Sequence, residues 1–261
     1  MNALGRLPRT SAAGRLFWMS RPRFWLYLAG PVFVGLAYGA SSIDALLAPR
    51  SLALFAYFLL PANVLLYGVN DLFDASIDRE NPKKDGREVR YEGGAYTPAA
   101  VVASLLLAVP LAVLVSPAAL AWILGFFVLA VAYSAPPARL KTRPPLDSLS
   151  NGLYILPGAA AYVAMAGTQP PLLALLGGVF WTMAMHTFSA VPDIEPDRRA
   201  GIATLATRLG HGGALAYCAG CWLVAAALFG ALDLRAGALL LVYPALAGVV
   251  ATTDVAVEHR G

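Results

Sequence analysis

Asn70, Asp71, Asp74 and Asp78 recur at spacings of one, four and eight residues, and Asp193 and Asp197 stand four apart. On a helix, residues three, four and seven apart share a face, so each run stacks its carboxylates side by side. Like charges held that way repel, and a bound cation relieves the repulsion. Ligands made only of oxygen favour a hard ion, Mg²⁺, over zinc. Mg²⁺ held by a few carboxylates completes its coordination with substrate phosphates, so the expected ligand is a phosphate or diphosphate. The competing reading takes the acids as helix caps and a solvated loop edge. It suits one cluster, but explains two at the ends of apolar segments poorly.

Other polar residues extend the pattern. Asn63, seven residues before Asn70, carries the polar face back into an apolar run, and His186 stands in the same relation to Asp193. Between the clusters, Tyr133-Ser134-Ala135-Pro136-Pro137-Ala138-Arg139-Leu140-Lys141-Thr142-Arg143-Pro144 offers a phenol and three cations in a proline-stiffened loop, suited to outer phosphate oxygens. Positive-inside loop charge explains those cations equally well. No Walker-type glycine loop and no GxGxxG occurs, and no basic stripe with interleaved aromatics points to nucleic acid. Cys218 and Cys221 lie in an apolar run without a second pair of soft ligands and read as small packing residues.

The elements that must position these groups are membrane helices. Of the 261 residues, 59% are hydrophobic and 13% charged, against about a quarter charged in soluble proteins. Runs long enough to cross a hydrocarbon core of ~30 Å as helices lie near 24–43, 52–70, 98–115, 118–134, 149–167, 172–190, 213–232 and 236–253. They are continuously apolar, which excludes the alternating strands of a barrel. The expectation is an all-α, polytopic bundle of eight spans: a basic cytoplasmic segment, 1–23, followed by one transmembrane domain, 24–261. Placing the N-terminus in the cytoplasm puts every Lys and Arg except Arg50 and Arg235 on that side, and both acidic clusters with them. The expected location is the cytoplasmic membrane, with the site at its inner face.

Taken together, these residues resemble the UbiA-type intramembrane prenyltransferases. The signatures NDxxDxxxD and DxxxD match Asn70 to Asp78 and Asp193 to Asp197, after the second and sixth spans, with the YSxPPxRLK loop between them. Within that superfamily the lycopene elongase branch is the most similar, on Ser20-Arg21-Pro22-Arg23-Phe24-Trp25, on Pro61 to Asp71, on Asn81-Pro82-Lys83-Lys84 and on His186-Thr187-Phe188-Ser189-Ala190-Val191-Pro192-Asp193. The superfamily usually has nine spans, one more than the sequence offers.

The resemblance implies Mg²⁺ ligated by Asn70, Asp71, Asp74, Asp78, Asp193 and Asp197. It implies a catalytic set of Asp71, Asp74, Asp193, Lys141 and Tyr133. Substrate contacts would come from Arg21, Asn63, Asn70, Arg139, Lys141, His186, Ser189 and Arg198. The implied partners are a prenyl diphosphate, such as dimethylallyl diphosphate, and a lipophilic acceptor, a carotenoid such as lycopene, entering from the bilayer. Ionisation and electrophilic alkylation would follow, with aromatic rings such as Tyr67, Phe73, Trp181 and Phe188 stabilising the allylic cation by ~2 kcal/mol where desolvated. His186 is then a base or a wall of the pocket, and the polar segment 79–97 a lid. A quinone-precursor prenyltransferase is the near alternative. A secondary transporter is the remote one, and it would place its carboxylates at broken helices near the midplane.

Overall fold

A computed structural model describes residues 11–78, 91 and 93–258, with only the backbone at 75–78 and 254–258. The Asp78 side chain, Asn81 to Lys84 and most of the segment expected as a lid therefore lie outside the described residues. Every regular element among those described is helical: α1 Ala12–Met19, α2 Trp25–Gly39, α3 Ile43–Leu46, α4 Pro49–Leu59, α5 Pro61–Asp78, α6 Tyr96–Leu106, α7 Val109–Leu114, α8 Pro117–Ser134, α9 Leu146–Leu149, α10 Leu156–Ala166, α11 Leu172–Ala190, α12 Ile194–Arg199, α13 Leu205–Leu232, α14 Leu234–Leu240 and α15 Val242–Glu258.

Seven helical stretches among these residues are long and apolar enough to cross a membrane, so the chain is a multi-pass membrane protein. The sequence leads one to expect eight. The difference is at 24–43, where α2 has 15 residues and a length of about 22 Å. It stops because Ala40 turns extended and Ser42 opens a new helix, its side chain accepting the Ala45 N–H at 3.2 Å.

The chain forms two compact units, one of Met1–Ala138 with Leu156–Gln169, the other of Arg139–Ile155 with Pro170–Gly261. In the first, α2 packs on α10 and α4, and α5 on α6 and α8. Phe58, Phe126, Leu28, Leu54 and Leu65 form its buried interior, with the Phe58 and Phe126 rings edge to face at 5.3 Å. Helix α2 touches α10 backbone to backbone at Gly35 and Gly158. A side chain on Gly158 would meet the Pro31 carbonyl at 2.7 Å, and one on Gly35 would overlap the Gly158 carbonyl. Small residues at such crossings are the usual means of close packing between membrane helices.

In the second unit, α13 is the central helix, packed on α11, α14 and α15. Trp222 is buried between Phe188 and Tyr243, with ring centres 5.4 Å from each. Cys218 and Cys221 are buried unpaired thiols in the same cluster. They pack, as the sequence suggests.

Candidate active site

The first acidic run occupies the last turns of α5. Why α5 begins where it does bears on the site: the backbone leaves helical geometry at Leu60, ahead of Pro61, so carbonyls in the last turn of α4 lose their helical donors. Asn63 repairs them. Its Nδ2 donates to the carbonyls of Phe58 and Leu59, each at 3.0 Å, and the residue is fully buried. The sequence marks Asn63 as a substrate contact; the structure engages its Nδ2 at the α4–α5 junction, while its buried Oδ1 makes no hydrogen bond among the described residues.

Two turns on, Tyr67, Asp71 and Asp74 fall on one face of α5. Asp71 is buried, and Arg21 lies against it: Nη2 donates to Oδ1 at 2.8 Å, while the guanidinium stands 4.5 Å from the centre of the Tyr67 ring. Arg21 reaches this position from a left-handed backbone, φ 50°, just before a short 3-10 turn. A non-glycine residue there carries strain of order 1 kcal/mol or more, and such residues concentrate at functional sites. Next to Asp71, the Asn70 Oδ1 accepts a hydrogen bond from Ser134 at 3.0 Å, which ties α5 to the end of α8 beside Tyr133. Asp74 is half-buried and Phe73 exposed.

The oxygens of Asn70, Asp71 and Asp74 are a donor set matched to a hard ion. Among the described residues no three His, Cys, Asp or Glu side chains come close enough to share a metal. These three residues alone would leave most of a hard cation's coordination to other ligands.

In the second unit, the cationic loop begins at Arg139, which also has a left-handed backbone, φ 40°. Its carbonyl accepts from the Thr142 N–H and hydroxyl, both at 3.2 Å, closing the 3-10 turn that carries the half-buried Lys141. The second acidic run lies where α11 gives way to a 3-10 turn, Val191–Asp193, and then to α12. Asp193 closes that turn and Asp197 lies within α12, both partly buried. Ser189 is exposed, and its hydroxyl bonds back to the His186 carbonyl at 2.7 Å.

Arg198 has a task the sequence does not announce. Gly210, at φ 69° and ψ 177°, interrupts α13, so the Thr207 carbonyl lacks the donor an unbroken helix would supply. Arg198 supplies it, with Nε at 3.2 Å and Nη2 at 2.9 Å from that oxygen, while Nη1 holds Glu195 at 2.9 Å. The sequence marks Arg198 as a substrate contact; in the structure its three nitrogens fix α12 to the start of α13.

One buried acid is missing from the sequence-based set. Asp147, 1% exposed on α9, accepts the Leu205 N–H at 2.7 Å and stands 4.0 Å from Nε2 of His186. Following three cations in four prolines' company, it reads in sequence as a neutralising loop charge.

Comparison with known proteins bears on the family and the fold. The UbiA prenyltransferase family pattern matches residues 28–260. A lycopene elongase/hydratase of Halobacterium salinarum is 58% identical over 93% of this chain and 88% of its own. One from Haloferax volcanii is 58% identical over 89% of this chain and 78% of its own. The fold is similar to that of a UbiA homolog from Archaeoglobus fulgidus solved with DMAPP and Mg²⁺, with a TM-score of 0.74 at 20% identity, covering 91% of this chain and 87% of that one. The chain belongs to the UbiA prenyltransferase family, as a prenyltransferase resembling its lycopene elongases.

Proposed function

We propose that this protein transfers an allylic five-carbon group from dimethylallyl diphosphate to lycopene or a related carotenoid, at the cytoplasmic face of the cell membrane. The carrying observation is the pair of acidic motifs on helix ends, in a chain more than half identical to lycopene elongase/hydratases over most of its length.

On their match to the family's two signatures, Asn70, Asp71, Asp74 and Asp78 from one motif and Asp193 and Asp197 from the other are the residues that would hold Mg²⁺ and, with it, the donor's diphosphate. When bound, the ion supplies Lewis-acid stabilisation of the charge that grows on the leaving group. Lys141, Arg139 and Tyr133 direct donors at the same oxygens and stabilise them more as the C–O bond lengthens than before. Arg21 orients Asp71 from behind, and Arg198 keeps α12 in place. The allylic carbon is then attacked by an acceptor alkene, and the new tertiary cation loses a proton or captures water. The names of the relatives support water capture.

Expression in a lycopene-producing host is the test, with pigments read by mass. Pigment heavier by one or two five-carbon units, lost in Asp71→Ala and Asp193→Ala, is the expected result. Unchanged lycopene alongside prenylated 4-hydroxybenzoate would move the function to quinone precursors.

A further inference from the structure

The cationic loop and the second acidic motif both lead to one short piece of helix. Gly210 breaks α13, so residues 205–209 form little more than a single turn, too short to keep its place by helix propensity alone. From the acidic side it is reached through α12. The Ala200 N–H donates to the Pro196 carbonyl at 3.1 Å and the Ile202 N–H to the Asp197 carbonyl at 2.9 Å, and Arg198 holds the Thr207 carbonyl from the same helix. From the other side it is reached through α9, where Asp147 Oδ2 accepts the Leu205 N–H at 2.7 Å.

Capping does not account for that second tie. Thr204 already caps the turn through a reciprocal pair with Thr207, and neither bond uses the Leu205 N–H. Water satisfies such an N–H in many helices. Here it is joined instead to a buried carboxylate 58 residues earlier in the chain. The exposed Arg208, in the same turn, attracts that carboxylate as well, whereas His186 Nε2, at 4.0 Å, lies beyond hydrogen-bonding distance.

Helix α9 is a firm anchor for the turn. The Ser148 hydroxyl bonds the Met183 carbonyl at 3.1 Å, the Thr187 hydroxyl at 3.1 Å and the Tyr217 hydroxyl at 3.0 Å, which fastens α9 to α11 and α13. Back towards Lys141 the chain is stiff too: the Arg143 carbonyl accepts the Leu146 N–H at 2.6 Å and the Asp147 N–H at 3.2 Å, and the Arg143 N–H donates to the Leu140 carbonyl at 3.0 Å.

We infer that Asp147 is a positioning residue for the second acidic motif: it fixes the turn 205–209, the turn holds Arg198, and Arg198 holds the segment that carries Asp193 and Asp197. This rests on the function proposed above. The same anchor carries the cationic loop, so the series sets the acids in register with Lys141.

Binding of Mg²⁺ with dimethylallyl diphosphate tests this, read from the rise the two cause in the thermal unfolding midpoint of detergent-purified protein and, separately, from the Mg²⁺ dependence of diphosphate release. Asp147→Ala breaks the tie from one end. Leu205→Pro breaks it from the other, because proline lacks the N–H, suits the first position of a helix and would follow a Thr204 already extended at φ −125° and ψ 167°. Either change should raise the Mg²⁺ concentration at half effect about tenfold in both readouts. Leu205→Ala, which keeps the N–H, should leave it near the wild-type value. Added to Arg198→Lys, Asp147→Ala should raise it by less than about threefold more, since ties in series fail together. A merely structural role would lower abundance or the midpoint without ligand and leave the Mg²⁺ dependence unchanged, and that result in Asp147→Ala or Leu205→Pro overturns the inference. So does a double variant whose effects multiply. If Asp147→Ala fails to accumulate, Leu205→Pro decides alone. A wild-type protein that Mg²⁺ and dimethylallyl diphosphate together fail to stabilise sinks the proposed function, whereas unaltered variants of a protein that binds both sink this inference only.

Discussion

Arg21 and Asp71, fifty residues apart, form a buried ion pair at 2.8 Å, with the Tyr67 ring covering the guanidinium. Removing one partner of a buried pair leaves the other charge uncompensated, a loss of about 3–5 kcal/mol. Arg21→Ala should therefore lower the thermal unfolding midpoint in detergent markedly. Arg21→Ala with Asp71→Asn should recover part of it, although both single variants lose turnover.

Asn63 answers to a different measurement. Each unsatisfied carbonyl at the α4–α5 break costs about 1–3 kcal/mol, so Asn63→Leu should destabilise the protein by roughly that amount or twice it. The KM for the allylic diphosphate should stay near the wild-type value in whatever protein remains folded. A tenfold rise in donor KM with unchanged stability would return Asn63 to the binding site.

For Arg198 the informative change is to lysine, which keeps the charge and loses the planar fork. Two bonds to the Thr207 carbonyl and one to Glu195 cannot be made by a single ammonium. The expected outcome is a half-saturating Mg²⁺ concentration raised about tenfold, because the segment carrying Asp193 and Asp197 loosens. A rise in donor KM alone, at unchanged Mg²⁺ dependence, would mark Arg198 as a diphosphate ligand after all.

Chelation should abolish diphosphate release and added Mg²⁺ should restore it, while Zn²⁺ should restore little, given ligands that are all oxygen. Asp193→Asn should lower turnover at least a hundredfold at saturating donor.

The acidic motifs were legible because their spacing has meaning on any helix, and the helical bundle because apolar runs of that length have few other uses. Other features depended on what the chain meets in space. A polar residue in an apolar run invites a functional reading, yet Pro61, two residues ahead of Asn63, was the signal that a helix break needed repair. Gly210 was the matching signal for Arg198, since only a broken helix leaves a carbonyl for a guanidinium to find. Asp147 gave no local sign, because its burial is set by a helix start 58 residues later. The first span looked long enough, but Ser41 and Ser42 were ready-made starts for a new helix.

The first compact unit is not contiguous in the chain: α10, whose Gly158 fits against Gly35 of α2, is made after the cationic loop has been synthesised. During translation the glycine surface of α2 therefore waits, uncovered, for a partner still inside the ribosome. A fragment ending at residue 138 would carry that open surface permanently and should be degraded, and supplying 139–261 as a separate polypeptide should rescue it.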